Sequence, residues 1–259
     1  MFGGGGQIKY DRALTVFSPE GRLYQVEYAL EAVRRGTLAV AVKSKEDVCL
    51  AAQIKIPSTL MDADEIDKIF QVDEHIGVAI SGLHADSRAL VDYARVQGQS
   101  FRLTYDEPVR LNMLVKTIAD VMQQYTQYGG IRPWGCALFF IGIDSVGTQI
   151  YTTSPSGIYR SFKAYAMGNG EATAREYLRT NYSEDLSFED LVQLALNSVK
   201  EANDDESTKE NIRLSYIKSK DKKFTIASKD EIEQFLNKSE WLIINYLDTT
   251  LSFLSFKEN

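Results

Sequence analysis

A layered α+β domain, two stacked β-sheets with helices over both outer faces, is predicted by three observations. Apolar runs of strand length come in groups, each group is followed by a pair of helical stretches, and this alternation occurs twice along the 259 residues. The length supports a substantial core, and no linker divides the chain.

The first group opens after Gly36 with TLAVAVK and VCLAAQI, which the charged turn at residues 45–47 joins into a β-hairpin. An acidic segment at residues 62–68 leads into IFQV and HIGVAISG, two more strands. At residues 83–97 the period changes, and Ala85, Ala89, Leu90, Tyr93, Ala94 and Gln97 define one helical face. The next helix places Leu111, Leu114, Val115, Ile118, Met122 and Tyr125 at offsets of three and four and stops at Gly129 and Gly130.

The second group reads as three strands, CALFFIGID, TQIYTTS and GIYRSFKAYAMG, with turn residues at 144–147 and 154–157 between them. Helices follow at residues 171–182 and 188–202. Ser187, with Asp190 three residues on, caps the second of these, whose inner face is Phe188, Leu191, Val192, Ala195 and Val199. NIRLSYI and KKFTIA are closing strands, and Ser228 with Glu231 makes a capping box for a last helix through Ile232, Phe235 and Leu236.

Composition excludes several functions. A net charge of −7 and a pI near 5.1 leave no basic stripe for nucleic acid. Cys49 and Cys136 lie in apolar strand runs without CxxC or Cys/His spacing, so they read as buried reduced thiols. His75 and His84, the two histidines, fall on different elements, and no metal or cofactor is expected. Gly168-Asn169-Gly170 lacks the GxxxxGK[ST] pattern of a phosphate loop and reads as a turn. The N-terminus, MFGGGGQIK, has no apolar signal region, and the apolar segment at 241–256 is too short and too polar to span a membrane. A cytoplasmic location is expected.

The stretch at residues 10–36, YDRALTVFSPEGRLYQVEYALEAVRRG, carries the most information. Ser18 suits an N-cap and Pro19 a first helical position, so the spacing of Leu23, Val26, Leu30 and Val33 predicts an amphipathic helix over 18–34. Arg22, Glu27, Glu31 and Arg34 occupy the opposite face, as for a helix laid on a surface or between subunits. With DEIDKIF, ISGLHADSRALVDYAR and QQYTQYGGIRPWGCALFFIGID, this stretch resembles the α-type subunits of the 20S proteasome, archaeal ones especially. The resemblance runs from Tyr10 to about Leu236.

That resemblance implies a four-layer α-β-β-α sandwich of the N-terminal-nucleophile hydrolase type with an extra N-terminal helix. It implies a flexible gate segment at 1–9, an α-type domain at 10–238, and a C-terminal tail at 239–259 for which it supplies no role. The implied work is non-catalytic: forming a seven-membered outer ring with other α-type subunits, stacking on β-type subunits, admitting unfolded protein substrates, and docking an activating ATPase or other activator. Tyr10, Asp11, Pro19 and Tyr28 match the family's gate cluster. Lys68, with Glu27 and Gly82, matches a pocket for the C-terminal carboxylate of an activator, although by its sequence surroundings alone Lys68 is a solvated charge in an acidic run. Tyr128, Gly129 and Gly130 match the narrow annulus through which substrate passes.

A rival reading follows from the same fold. Gly36-Thr37 stands where cleavage would free a threonine amine and hydroxyl, with Lys68 placed like the lysine of the catalytic β-type site. Against it, Gln53 replaces the acidic partner of that lysine, and a discarded propeptide has little need of a well-formed helix.

Overall fold

The computed structural model describes residues 15–56, 58, 60–62, 67–203 and 208–237. Tyr10 and Asp11, the gate segment 1–9 and the tail 239–259 lie outside them. Helix α1 (Tyr24–Arg34) is followed by β1 (Ala39–Lys43), β2 (Val48–Gln53), β3 (Ile69–Asp73), β4 (Ile76–Gly82), α2 (His84–Tyr105) and α3 (Leu111–Gln124). The second half comprises β5 (Cys136–Asp144), β6 (Gly147–Thr153), β7 (Tyr159–Ser161), β8 (Ala164–Met167), α4 (Glu171–Asn181), α5 (Phe188–Glu201), β9 (Ile212–Ile217) and β10 (Phe224–Ile226), then a helix at residues 229–237. The strands form two antiparallel sheets, ordered β10-β9-β2-β1-β8 and β3-β4-β5-β6-β7.

Alternate residues of β1 explain the layering. Ala39 and Ala41 join Leu50, Phe139, Ile141 and Ile150 between the sheets, while Val40 and Val42 point outward onto Leu191, Ala195 and Val199 of α5. On the other side Val78, Ile80, Leu138 and Phe140 meet Leu90, Leu114, Ile118 and Met122 of α2 and α3. Both faces of the central strands are therefore buried, which is why their sequences are continuously apolar rather than alternating. Each such Leu, Ile or Phe contributes about 1.5–3 kcal/mol by leaving water. This is the four-layer α-β-β-α sandwich with an N-terminal helix.

Four local expectations need correction. Helix α1 starts at Tyr24, not Ser18. Residues 18–21 instead form a turn in which Gly21 N donates to Ser18 O and Arg22 N to Ser18 Oγ, so Ser18 and Pro19 shape the approach to the helix without capping it. Helix α3 ends at Gln124, where Thr126 Oγ1 donates to the carbonyl of Gln123, five residues before Gly129. The buried face of α2 is Leu90, Val91, Ala94 and Gly98, whereas Ala85, Ala89 and Tyr93 face outward. Alanines on both faces left the phase ambiguous, and Phe101 and Tyr105, ring to ring at 4.6 Å, belong to two further turns of the helix.

GIYRSFKAYAMG divides into β7 and β8, which belong to different sheets. Phe162 makes the crossing: its N–H donates to Ile150 of one sheet, its ring stacks on Tyr165 at 4.0 Å, and the next residue, Lys163, accepts from Lys43 of the other sheet. The caps of the second half follow the sequence. Ser187 Oγ accepts from Asp190 N, and Ser228 Oγ from Glu231 N. The Glu231 carboxylate, rather than closing the box, accepts from Tyr216 Oη at 2.9 Å.

Candidate functional site

The peptide Gly36-Thr37 lies where α1, the start of β1, the end of β4 and the β8–α4 turn converge. Val26, Ala29 and Val33 bury the inner side of α1, and the carbonyl of Val33 accepts from the buried Ser81 Oγ at 3.1 Å. Gly36 O accepts from Asn169 N at 2.7 Å. These contacts clamp the backbone from both sides. A Cβ on Gly36 would stand 2.4 Å from Gly82 N, and one on Gly82, at φ +100°, would stand 2.3 Å from Gly135 O.

Gly168 closes the other wall. It has φ +108°, and a Cβ there would come within 2.5 Å of Thr37 O, so Gly168→Ala combines an unfavourable backbone conformation with a collision against main chain. Each effect is worth about 1–3 kcal/mol. The variant should unfold at markedly lower denaturant than the parent, and an unchanged midpoint would show that the turn relaxes freely.

Lys68, immediately before β3, reaches into this junction. Its Nζ donates to both Thr37 O and Thr37 Oγ1, and the residue is 6% exposed. This corrects the expectation of a solvated lysine. Burial alone pushes its pKa down to about 7, with no carboxylate among the described residues offsetting the loss of solvent. Gln53, on β2, lines a cleft of about 660 Å3 with Thr37, Arg35 and Asn169. Its amide supplies no negative charge. Lys68 borders a smaller cavity of about 220 Å3 with Asp67, Arg213 and Lys229.

The remaining candidates fall in three places. Gly82 abuts Gly36 and so stands one residue from Thr37, whereas Glu27 lies on α1, where Arg22 Nε donates to it at 2.7 Å and a second guanidinium nitrogen closes a bidentate pair. Pro19 is exposed in the turn before α1, and Tyr28 is half-exposed on that helix. Tyr128, Gly129 and Gly130 form an exposed turn after α3. Sequence reasoning missed Ser81 and Asp86. The Asp86 carboxylate takes a bidentate pair from Arg132 and the N–H of Gly135, fixing the strand start against which Gly82 packs. Arg132 and its hydrogen bonds hold that carboxyl below the usual range. The only signal for this pair was an Arg before Pro133, too general to use.

Two family models match the chain: the N-terminal signature of A-type proteasome subunits over residues 10–32, and "Proteasome subunit" over residues 33–217. The chain belongs to the proteasome subunit family, on its α-type branch. It is 46% identical over 233 residues to the proteasome alpha subunit of Archaeoglobus fulgidus, covering 90% of this chain and 94% of that protein. The proteasome alpha subunits of Methanothermobacter thermautotrophicus and Pyrococcus horikoshii are each 47% identical, over 86% and 89% of this chain and 90% and 88% of theirs. Among the described residues no helix is long and apolar enough to cross a membrane.

Proposed function

We propose that this chain is a non-catalytic α-type subunit that forms the seven-membered outer ring of a cytoplasmic proteasome core, stacked on β-type subunits. In this reading residues 1–9, with Tyr10, Asp11, Pro19 and Tyr28, gate the passage of unfolded proteins, and Tyr128, Gly129 and Gly130 line the annulus beneath. Lys68, with Gly82 beside Gly36 and Glu27 on α1, docks the C-terminal carboxylate of an activating ATPase or other activator. One observation carries the non-catalytic part. The residues preceding Thr37 pack into the fold, with Val33 and Gly36 held by Ser81 and Asn169, which supports a chain that keeps them and so leaves Thr37 without the free amine that a threonine nucleophile requires.

The contact between Lys68 and Thr37 is what favours the second reading, a threonine peptidase released by cleavage after Gly36. Gln53 in place of a carboxylate argues against it, as does the packing of α1. Intact-mass measurement of the chain purified with its β-type partner separates the two. The expected mass retains residues 2–36. A species beginning at Thr37, with peptidase activity that Thr37→Ala abolishes, would overturn the non-catalytic assignment.

A further inference from the structure

We propose that Thr37 serves as the positioning residue for Lys68, using its hydroxyl and carbonyl to aim the lysine's remaining N–H at a docked carboxylate. The proposal rests on the docking role assigned to Lys68 and adds to it the residue that makes the docking geometry specific.

The argument is one of valence. A neutral lysine amine has two N–H donors, and Thr37 O and Oγ1 accept two hydrogen bonds from Lys68 Nζ. The resting side chain is thereby satisfied without a counterion, which suits a group 6% exposed whose burial no described carboxylate offsets. An ammonium has a third donor. With two N–H bonds fixed on Thr37, the third has a defined direction, and an incoming carboxylate supplies both the missing acceptor and the missing charge.

Arg213 of β9 and Lys229 of the C-terminal helix line the smaller cavity with Lys68 and its neighbour Asp67, Lys229 being paired with Glu210 at 3.0 Å, and Arg35 after α1 is paired with Glu31 at 3.1 Å, so loss of solvent rather than nearby charge is what disfavours a resting ammonium. Ser81 Oγ, 3.5 Å from Thr37 O, helps hold that carbonyl in place. Removing Thr37 Oγ1 takes away an acceptor that favours the charged form, so the lysine titrates still lower than about 7 and is less often charged at neutral pH. Binding should suffer most above pH 7 and recover below it.

The test uses the assembled ring and a short synthetic peptide copying an activator ATPase's C-terminus, with its C-terminal amide as control, titrated from pH 6 to pH 8. Thr37→Val, which keeps the shape and loses the hydroxyl, should bind several-fold more weakly than wild type at pH 8, with the gap closing toward pH 6. Thr37→Ser should restore the wild-type profile. If Thr37→Val binds like wild type while Lys68→Ala does not, Thr37 has no positioning role and the docking reading stands alone. A pH-independent loss that Thr37→Ser fails to rescue marks a merely structural threonine and also overturns the proposal. If Lys68→Ala itself binds like wild type, the docking reading falls, and this inference with it.

Discussion

Replacing Lys68 with Ala should weaken docking of an activator's C-terminus to the assembled ring by more than tenfold. Hydrogen bonds to a charged group contribute roughly 1.5–3 kcal/mol, and each 1.4 kcal/mol is about tenfold in affinity. The site magnifies the effect because Lys68 is buried and the carboxylate would be its only counter-charge among the described groups. Lys68→Glu should be worse, since it sets two anions against each other. Wild-type binding should also tighten from pH 8 to pH 6, because a carboxylate selects the ammonium and Lys68 titrates near 7. Over the same range the Ala variant should be flat. Stability of the free protein carries the companion sign. The native value lies below that of the unfolded chain, so between about 7 and the ordinary lysine value the unfolded chain holds the extra proton, and Lys68 makes stability rise with pH there. Identical tail affinity for wild type and Lys68→Ala at every pH would make Lys68 a structural lysine and end the docking assignment.

The sandwich was readable because its determinants are local and strong. Continuous apolar runs such as CALFFIGID mark strands buried on both faces, and the helix caps at Ser187 and Ser228 formed as their spacing implied. What escaped was set by tertiary contact. Nothing local in YRSFKAY says that the chain changes sheets at Phe162, since the reason is the stack on Tyr165 and bonds to two separate strands. Pro19 suits a helix start as well as a turn, and the turn prevails because Gly21 follows it. The site divides in the same way. The peptidase reading already paired Lys68 with Thr37, 31 residues apart, but an acidic neighbourhood in sequence hides a lysine buried in space. Gly168 was visible only as a turn residue and Gly82 only through the family resemblance, whereas the work of both is to let two backbones approach at Gly36 and Thr37.

Deleting residues 1–9 should leave the ring assembled and admit unfolded proteins without an activator. The segment MFGGGGQIK includes four consecutive glycines, which carry no Cβ to bias φ, so any closed arrangement over a pore must be held by contacts outside the segment. Tyr10, Asp11, Pro19 and Tyr28 are the proposed source of those contacts, placed before and along α1. A gate of this kind is a two-state element whose open form is a minor population, about 0.1–10% when the states differ by a few kcal/mol. Removing the plug should therefore raise hydrolysis of a disordered protein by the reconstituted α/β particle at least roughly tenfold. Short peptides, which pass a partly closed opening, should gain much less, and added activator should give the deleted particle little further stimulation. Tyr28→Ala offers an independent approach, since it keeps the plug and weakens its anchor, and it should fall between wild type and the deletion. If the disordered substrate is degraded at the same rate before and after deletion, the N-terminal segment does not restrict access, and the contrast between large and small substrates must originate at the Tyr128-Gly129-Gly130 annulus instead.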